Sequence, residues 1–260
     1  MLDWEQMMEV TALVQGTRSL IERELAKAEV TVKGAADYVT NVDFAVQDYL
    51  KTELRKRFPQ ISMIAEEKDG QEQKKSSRYW ILDPIDGTTN LIHHYQLSAV
   101  SLALYEEGTV TFGVVYNPFT EETFWAGTGC GAYLNDMPVS VSSDVALPDA
   151  LVSFGSNPYD KGQAHRLFAL FEKIFLKTAD FRRTGSAALD ICYVACGRQD
   201  AFLEWNLKPW DYAAAAVILK EAGGVITDWS HNEPEWIKNS SILAAAPGVY
   251  DELQKMIETE

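Results

Sequence analysis

The chain has 260 residues, and its 23 basic and 38 acidic residues give a formal net charge of −15 and a pI near 4.7. A hydrophobic content of 47% with 11% aromatic residues excludes a disordered chain and predicts a large buried core. The acidic excess argues against a broad surface for nucleic acid or anionic membranes, so we expect neither as a partner. An anionic substrate would need a local cation to be held.

The chain carries no pattern typical of export or membrane insertion. Met1 to Glu5 contain no basic region and lead into no apolar signal core, and no run approaches the roughly 18 apolar residues of a membrane span. Cys130, Cys192 and Cys196 are odd in number and lack a CxxC spacing. We therefore expect reduced thiols and a cytoplasmic protein.

Two helices are predicted near the start of the chain. Asp3 and Gln6 fit a capping box, and apolar residues at helical spacing predict one long helix that continues to Leu25. Asp43 lies at the start of the second helix, where the ordinary explanation for an acidic residue is its interaction with the helix dipole. The inward face of this second helix is expected to carry Phe44, Val46, Leu50, Leu54 and Phe58.

Two predicted strands end in acidic residues. The first, over 61–65, leads into Glu66 and Glu67, and the second, over 79–82, leads into Asp83. Adjacent acids at a strand end are usually just solvated, but neighbouring strands would bring both sets of carboxylates to one edge of a sheet. The polar segment over 68–78 between them predicts an exposed, flexible loop.

The second strand opens the most informative stretch, which reads YWILDPIDGTTN over 79–90. Pro84 is expected to end the strand because it cannot donate a ladder hydrogen bond, whereas Gly87 lets the backbone approach another group closely. Thr88 is expected to begin a helix whose unpaired N–H groups favour an anion such as phosphate. Asp83 and Asp86 beside such a site suit a Mg2+ ion. Taken alone, the stretch also fits an ordinary Asp-Gly turn with a helix cap.

The remaining elements predict two halves of different character. Hairpin-connected strands follow up to residue 134, whereas strands and helices alternate from residue 150 onward. We therefore predict an α+β half over 1–145 and an α/β half over 146–260. In the second half, Asp211 enters an alanine-rich helix that Gly223 closes; its place in the first turn fits a dipole role as well as a functional one.

Four separated segments together resemble the inositol monophosphatase family of lithium-sensitive, Mg2+-dependent phosphomonoesterases. The resemblance extends over nearly the whole chain and in the family's order, and its DPIDGTTN element with an upstream Glu pair and a downstream Trp-Asp is highly specific. It implies a layered αβαβα sandwich of the inositol monophosphatase and sugar phosphatase type. The segments are DYVTNVD over 37–43, Glu66-Glu67, DPIDGTTN over 83–90, and WDYAA over 210–214 with EAGG over 221–224.

The resemblance also implies roles for individual residues. Glu66, Thr88 and Asp43 would be catalytic, with Thr88 hydrogen-bonded to Asp43 so that it orients the attacking water and helps to deprotonate it. The amides of Gly87 and Thr88 would receive the phosphate. The metal ligands would be Glu66, Asp83 and the carbonyl of Ile85 for the first ion, Asp83, Asp86 and Asp211 for the second, with Glu67 as a supporting residue. The half over 1–145 would thus carry most of the metal ligands, and the half over 146–260 would complete the active site.

The cofactor implied by the resemblance is Mg2+, as two or three ions, with inhibition by Li+ and with Ca2+ able to occupy the site. Clustered carboxylates suit this chemistry because a phosphomonoester dianion repels its nucleophile unless cations neutralise the phosphoryl oxygens. A homodimer is implied as well. Contacts to the sugar or inositol hydroxyls are implied for Gly185, Ser186, Ala187 and Glu204.

The sequence leaves the substrate open. Inositol monophosphate or a similar small polyol phosphate is favoured, and fructose 1,6-bisphosphate or NADP(H) on the same metal site is the alternative. Arg182 and Arg183 could meet a second phosphate or a partner subunit, or form an ordinary surface pair. A regulatory protein that keeps the fold but acts by binding a macromolecule is the hypothesis from a different class.

Overall fold

The computed structural model describes residues 1–34, 37–67 and 76–258. For Asp37 it describes the backbone alone. Most of the loop predicted over 68–78 lies outside these residues. The helices are α1 (Trp4–Gln15), α2 (Thr17–Leu25), α3 (Asn41–Arg57), α4 (Thr88–Ile92), α5 (Ala164–Phe175), α6 (Ala187–Ala195), α7 (Pro209–Glu221) and α8 (Pro247–Glu258).

The strands form a hairpin and two larger sheets. The hairpin pairs β1 with β2, the seven-stranded sheet has the order β3-β4-β5-β6-β7-β8-β9, and the five-stranded sheet has the order β11-β10-β12-β14-β13. The strands are β1 (Val30–Gly34), β2 (Asp37–Thr40), β3 (Ser62–Ala65), β4 (Arg78–Asp86), β5 (Ala99–Glu106), β6 (Thr109–Asn117), β7 (Glu122–Gly127), β8 (Ala132–Leu134), β9 (Met137–Val139), β10 (Leu151–Phe154), β11 (Asp180–Arg182), β12 (Ala201–Leu207), β13 (Val225–Thr227) and β14 (Ser240–Ala245).

Three buried clusters stack these elements into layers. α1, α2 and α3 pack on one face of the seven-stranded sheet through residues such as Val46 and Leu82. α6 and α7 lie between the two sheets, and α5 and α8 cover the outer face of the five-stranded sheet. Successive residues of a strand face opposite sides of its sheet, so Ile81 joins the middle layer while Leu82 joins the outer one. The layered αβαβα sandwich is confirmed.

The middle layer joins the two sheets through small side chains. Gly113 of β6 lies so close to Ala214 of α7 that an added Cβ would overlap the Ala214 backbone. The alanines of α7 from Ala213 to Ala216 are fully buried and allow this approach. One core therefore contacts residues on both sides of the predicted boundary at 145, and the division into two halves stays a prediction.

Three sequence-based expectations about individual elements were wrong. The first long helix is two helices that meet at Gly16, where the Thr17 hydroxyl donates to the Val14 carbonyl of the last turn of α1 at 2.6 Å. Phe44 is 46% exposed because it lies outside the helical phase of the buried Val46 and Leu50.

Pro84 does not end its strand, which is the third correction. The pairing of β4 with β5 continues to Asp86, with an irregularity between Asp83 and Asp86. Such a bulge tolerates a proline because the extra residue is left out of the hydrogen-bonded ladder. The hairpin of β1 and β2 was not predicted, since its strands are short and β1 is exposed along its length.

The cysteines and helices also bear on the class of protein. Cys130, Cys192 and Cys196 are free thiols. Among the described parts of the chain, no helix has both the length and the apolar character needed to cross a membrane.

Candidate active site

β4 ends in a bulge that lies between two acidic residues, Asp83 and Asp86. Asp83 pairs with Ser101 and Asp86 with Ala99, so the strand uses one residue more than its partner between them. The Asp83 carboxylate itself accepts a hydrogen bond from the N–H of Ile85 at 2.9 Å, which fixes the bulge. The local sequence therefore sets the direction of its own carboxylates.

Gly87 is required where β4 turns into α4. Its φ is +89°, and an added Cβ would lie 2.9 Å from the Leu97 carbonyl and 3.2 Å from the Gly185 carbonyl. A side chain would thus be strained by the backbone and crowded by two neighbouring segments. Thr88 begins α4 at the end of this turn, as predicted, and a phosphate role for the Gly87 and Thr88 amides stays a prediction.

The Thr88 hydroxyl lies between Asp43 and the backbone of the bulge. Its Oγ1 is 3.3 Å from Asp43 Oδ1 and 3.1 Å from the Ile85 carbonyl oxygen, and it can donate to either. The other Asp43 oxygen accepts from the Thr40 N–H at 2.8 Å and the Thr40 hydroxyl at 2.7 Å. Asp43 is therefore the capping-box residue of α3 as well as a neighbour of Thr88, and its catalytic role stays a prediction.

Glu66 and Glu67 follow β3, which pairs in parallel with β4. This pairing brings the Glu pair and Asp83 to the same sheet edge, as the order of the strands predicted. Lys33 of β1 reaches both acids, with Nζ 3.4 Å from Glu66 Oε1 and 2.6 Å from Glu67 Oε1. Glu67 is further anchored by Gln47, whose side chain donates to the Glu67 carbonyl at 3.0 Å.

The second half of the chain completes the site from the opposite side. Asp86 Oδ2 accepts from the Ser186 hydroxyl at 2.5 Å and from the Ala188 N–H at 2.8 Å, both at the start of α6. Asp211 begins α7 and accepts from the Lys208 N–H at 2.7 Å. The Asn90 amide donates to the Thr184 carbonyl at 2.9 Å, which ties the DPIDGTTN segment over 83–90 to the residues that precede α6.

One cavity of about 280 Å³ brings most of the predicted residues together. Asp43 and Glu67 are not among its lining residues, although Asp43 contacts the lining residue Thr88 and Glu67 follows Glu66 in the chain. The predicted residues that line the cavity are Glu66, Asp83, Ile85, Asp86, Gly87, Thr88, Gly185, Ser186, Ala187, Glu204 and Asp211.

Burial raises the pKa of every predicted acidic ligand. The pKa of Glu66 rises to about 7, against the opposing charge of Lys33, and that of Asp86 rises to about 6. The pKa values of Asp83 and Asp211 lie well above the ordinary range, because both carboxylates are largely withdrawn from water and both face other carboxylates. Ionising these groups together without a cation is therefore unfavourable.

The same burial acts on residues around this centre. Asp43 has its pKa raised to about 6 by burial, although its hydrogen bonds to Thr40 oppose the shift. The pKa of Glu204 rises to about 7 for the same reason, against the N–H of Asn157 and the charge of Arg183.

The donor set fits hard divalent cations. Oxygen donors from Glu66, Asp83, Asp86 and Asp211 and the Ile85 carbonyl are the ligand types that Mg2+ and Ca2+ prefer, and Arg183 is the arginine among the described lining residues. In the described ranges, no three His, Cys, Asp or Glu side chains are arranged so that they could hold a metal ion as they stand. Asp83, Asp86 and Asp211 each use a carboxylate oxygen for a backbone N–H, which holds them in place around the cavity. Their assignment as metal ligands stays a prediction.

The structure adds residues that the sequence did not single out. Asp190 of α6 lines the cavity, and burial raises its pKa to about 7; it accepts from the Thr184 hydroxyl at 2.7 Å and from the Gln199 amide at 3.2 Å. Tyr38 and Tyr159 line the cavity as well. Asp190 sits in the first turn of a helix, where its sequence signal is the common one of a dipole-complementing acid.

Comparison with known proteins gives this geometry a family. The model of the inositol monophosphatase family matches residues 3–259. The chain belongs to the inositol monophosphatase family. The resemblance seen in the sequence is confirmed, and membership supports phosphatase activity on a small phosphate ester.

Relatives within the family bear two kinds of name. The Nus factor SuhB of Escherichia coli is 40% identical over 223 residues, covering 85% of this chain and 82% of that protein. The inositol-1-monophosphatase of Mesorhizobium japonicum is 34% identical over 251 residues, covering 96% of this chain and 94% of that protein. A solved structure of the Thermotoga maritima IMPase superposes with a TM-score of 0.89 at 33% identity and covers 98% of this chain and 97% of that chain.

Proposed function

We propose that this protein is a Mg2+-dependent phosphomonoesterase that hydrolyses inositol monophosphate, or a similar small polyol phosphate, to the alcohol and inorganic phosphate. The observation that carries the proposal is the cavity in which the buried carboxylates of Asp83 and Asp86 on β4 meet the half-buried carboxylates of Glu66 and Asp211 beside Thr88. Such a concentration of negative charge cannot hold a phosphate dianion unless cations are bound with it.

The metal ligands in this proposal are Glu66, Asp83, Asp86, Asp211 and the carbonyl of Ile85, with two or three ions. Bound Mg2+ would neutralise phosphoryl oxygens, acidify the attacking water and stabilise the leaving alkoxide. Glu67 supports the site through its contact with Lys33.

The chain's own groups position the nucleophile and the ester. Thr88 donates its hydroxyl hydrogen to Asp43, so its oxygen is left to accept a hydrogen bond from the attacking water. The water oxygen forms a bond to phosphorus while the bond from phosphorus to the ester oxygen breaks. The water proton passes to Thr88 while Thr88 gives its own hydroxyl proton to Asp43, and the departing alkoxide takes up a proton from a solvent water to become the alcohol.

The polyol is assigned to the opposite wall of the cavity, formed by Gly185, Ser186, Ala187 and Glu204. A buried carboxylate accepts hydrogen bonds from sugar or inositol hydroxyls, and the support for this role of Glu204 is its place in the wall. Arg183 also lines the cavity, and a second phosphate at this residue is the basis of the alternative substrates fructose 1,6-bisphosphate and NADP(H).

The test is phosphate release from a panel of esters with purified protein. We expect the highest kcat/KM on inositol 1-phosphate, complete dependence on Mg2+, loss of activity with EDTA, and inhibition by millimolar Li+. Fructose 1,6-bisphosphate and NADP+ are measured beside it at equal concentration. Faster turnover of either one would replace the proposed substrate, and absence of Mg2+-dependent release from all three would refute the phosphatase.

A second candidate function is a regulatory one, exerted by binding a macromolecule. The observation in its favour is the name Nus factor SuhB, carried by a relative with 40% identity. The acidic cavity and the charge of −15 favour the enzyme instead. The ester panel separates the two, because a purely regulatory protein would release no phosphate.

We also propose a cytoplasmic homodimer that pairs through α5 and the edge strand β11. Phe168, Phe175 and Leu176 are 56%, 49% and 72% exposed there, an apolar surface of the kind that marks protein contacts. Antiparallel pairing of two β11 strands centred on Phe181 would set Asp180 of one copy opposite Arg182 of the other. The three free thiols support the location.

The dimer gives a prediction for light scattering after size-exclusion chromatography. Leu176→Asp is expected to convert a dimer of about 58 kDa, twice the 29.1 kDa chain, into a monomer, since a charge would be buried in the contact. Met137→Asp is the matched control, because Met137 is 69% exposed and lies on β9, in the other sheet. A wild-type monomer, or equal dissociation by both variants, would contradict the proposed contact.

A further inference from the structure

The carboxyl group of Glu204 lies directly against the backbone of Gly155. A Cβ added at position 155 would overlap the carboxyl carbon and both carboxylate oxygens of Glu204. This overlap involves the far end of a flexible side chain. A methyl group at position 155 would therefore push the carboxylate aside without forcing the backbone apart.

Neighbouring strands produce this contact. β10 and β12 pair in parallel with Phe154 opposite Leu203, and the Gly155 N–H donates to the Leu203 carbonyl at 2.9 Å. Gly155 therefore follows the register of the sheet, and its φ lies outside the left-handed region that excludes side chains. Alanine is compatible with the backbone at this position, so the backbone does not require glycine here. The missing side chain instead leaves room for the Glu204 carboxylate.

Asn157 holds the same carboxylate from the other side. Its backbone N–H donates to Glu204 Oε1 at 3.0 Å, and the residue is only 3% exposed. Its φ is +42°, a conformation that asparagine tolerates better than most residues. The segment from Gly155 to Asn157 thus wraps around one carboxylate, leaving room for it at one end and donating to it at the other.

We propose that Gly155 and the Asn157 N–H are positioning elements that set the Glu204 carboxylate for a hydroxyl of the substrate alcohol, and that they thereby determine selectivity for polyol phosphates. The inference rests on the proposed phosphatase function and adds the residues that make its polyol wall selective. One Glu204 oxygen is engaged by Asn157, so the carboxylate is oriented before the substrate arrives. Preorganisation of this kind strengthens a hydrogen bond by reducing the entropy lost on binding.

Gly155→Ala tests the proposal through a ratio of two substrates. Inositol 1-phosphate carries ring hydroxyls, whereas p-nitrophenyl phosphate has the same phosphate and none. We expect the ratio of kcat/KM for the two esters to fall by about 10- to 100-fold, the size of a lost hydrogen bond to a charged group. The loss should appear in KM for inositol 1-phosphate, with kcat changed much less.

Rescue by a shorter acid separates positioning from a general packing role. Glu204→Asp withdraws the carboxylate by one methylene, which makes room for a methyl group at position 155. The factor by which the double variant Gly155→Ala/Glu204→Asp raises KM is expected to be smaller than the product of the factors for the two single variants, since the shorter side chain relieves the overlap. Gly162→Ala is the matched control: a Cβ there would approach the Asp160 carboxylate at 3.0 Å, outside the cavity, and should leave the ratio unchanged.

The outcomes are distinct. A lowered ratio in Gly155→Ala together with partial rescue by Glu204→Asp supports the proposal. An unchanged ratio, or equal losses on both esters with additive effects in the double variant, overturns it while leaving the phosphatase intact. Failure of the wild-type protein to release phosphate from either ester refutes the proposed function itself.

Discussion

Asp86→Asn is expected to abolish Mg2+-dependent phosphate release, with a loss in kcat of at least about 10³-fold. Asp86 is buried, lines the cavity, and is the acid through which the DPIDGTTN segment contacts α6. An amide removes one negative charge from the proposed cation site, while its oxygen can still accept from Ser186 or Ala188. The measurement is steady-state phosphate release, with circular dichroism to confirm that the fold survives.

The control for this variant is Asp136→Asn, which removes the same charge at an exposed turn far along the chain from the motif. It should retain wild-type kcat and KM. Wild-type-like turnover in Asp86→Asn would contradict the assignment of Asp86 to the metal site. Equal losses in both variants would point to net charge rather than to the cavity.

The second large effect concerns stability against pH without divalent ions. Burial raises the pKa of Glu66, Asp190 and Glu204 to about 7 and that of Asp86 to about 6 in the folded protein. The folded state therefore binds protons more tightly than the unfolded chain, whose carboxyl groups titrate near pH 4. Their stabilising contribution is complete below about pH 4 and is lost as the pH rises through 6 to 7.

In EDTA we therefore expect Tm to fall between pH 5 and pH 8, by on the order of 5–10 °C. Mg2+ should restore much of this loss at pH 8 and have little effect at pH 5, because only ionised carboxylates bind the cation. Differential scanning fluorimetry at both pH values measures the effect. The control is NaCl at matched ionic strength, which should not reproduce the difference. A Tm that is independent of pH, or a Mg2+ shift of equal size at both pH values, would contradict the prediction.

Asp43 illustrates how one carboxylate can cap a helix and still face a second group. As the capping-box acid of α3 it accepts from Thr40, and with its other oxygen it faces Thr88. A carboxylate has two oxygens, so capping does not exhaust its capacity. Asp211 behaves alike, since it caps the start of α7 and lines the cavity.

The sequence by itself determined the parts of this protein that depend on neighbours along the chain. The start of α3, the turn at Gly87 and the hairpin of β5 and β6 follow from caps, glycine and alternating apolar residues, which act within a few positions. The order of the strands was enough to bring the Glu66-Glu67 pair to the edge where Asp83 lies. Asp43 and Asp211 could be added to that group in advance only because all of these acids together match a family pattern. Pro84 shows the limit, since pairing with β5 on the far side of the turn keeps it inside a strand.

Only the tertiary structure decided which groups from distant segments meet. The contact of Glu204 with Gly155 depends on the register of β10 against β12. The hydrogen bond between Asn90 and Thr184 depends on how the two sheets pack against α6 and α7. Asp190 gained its buried place in the cavity in the same way. Contacts of this kind are fixed by packing across the whole core. Each short stretch of sequence contributes only a small share of the free energy of folding, so no such stretch determines these contacts by itself.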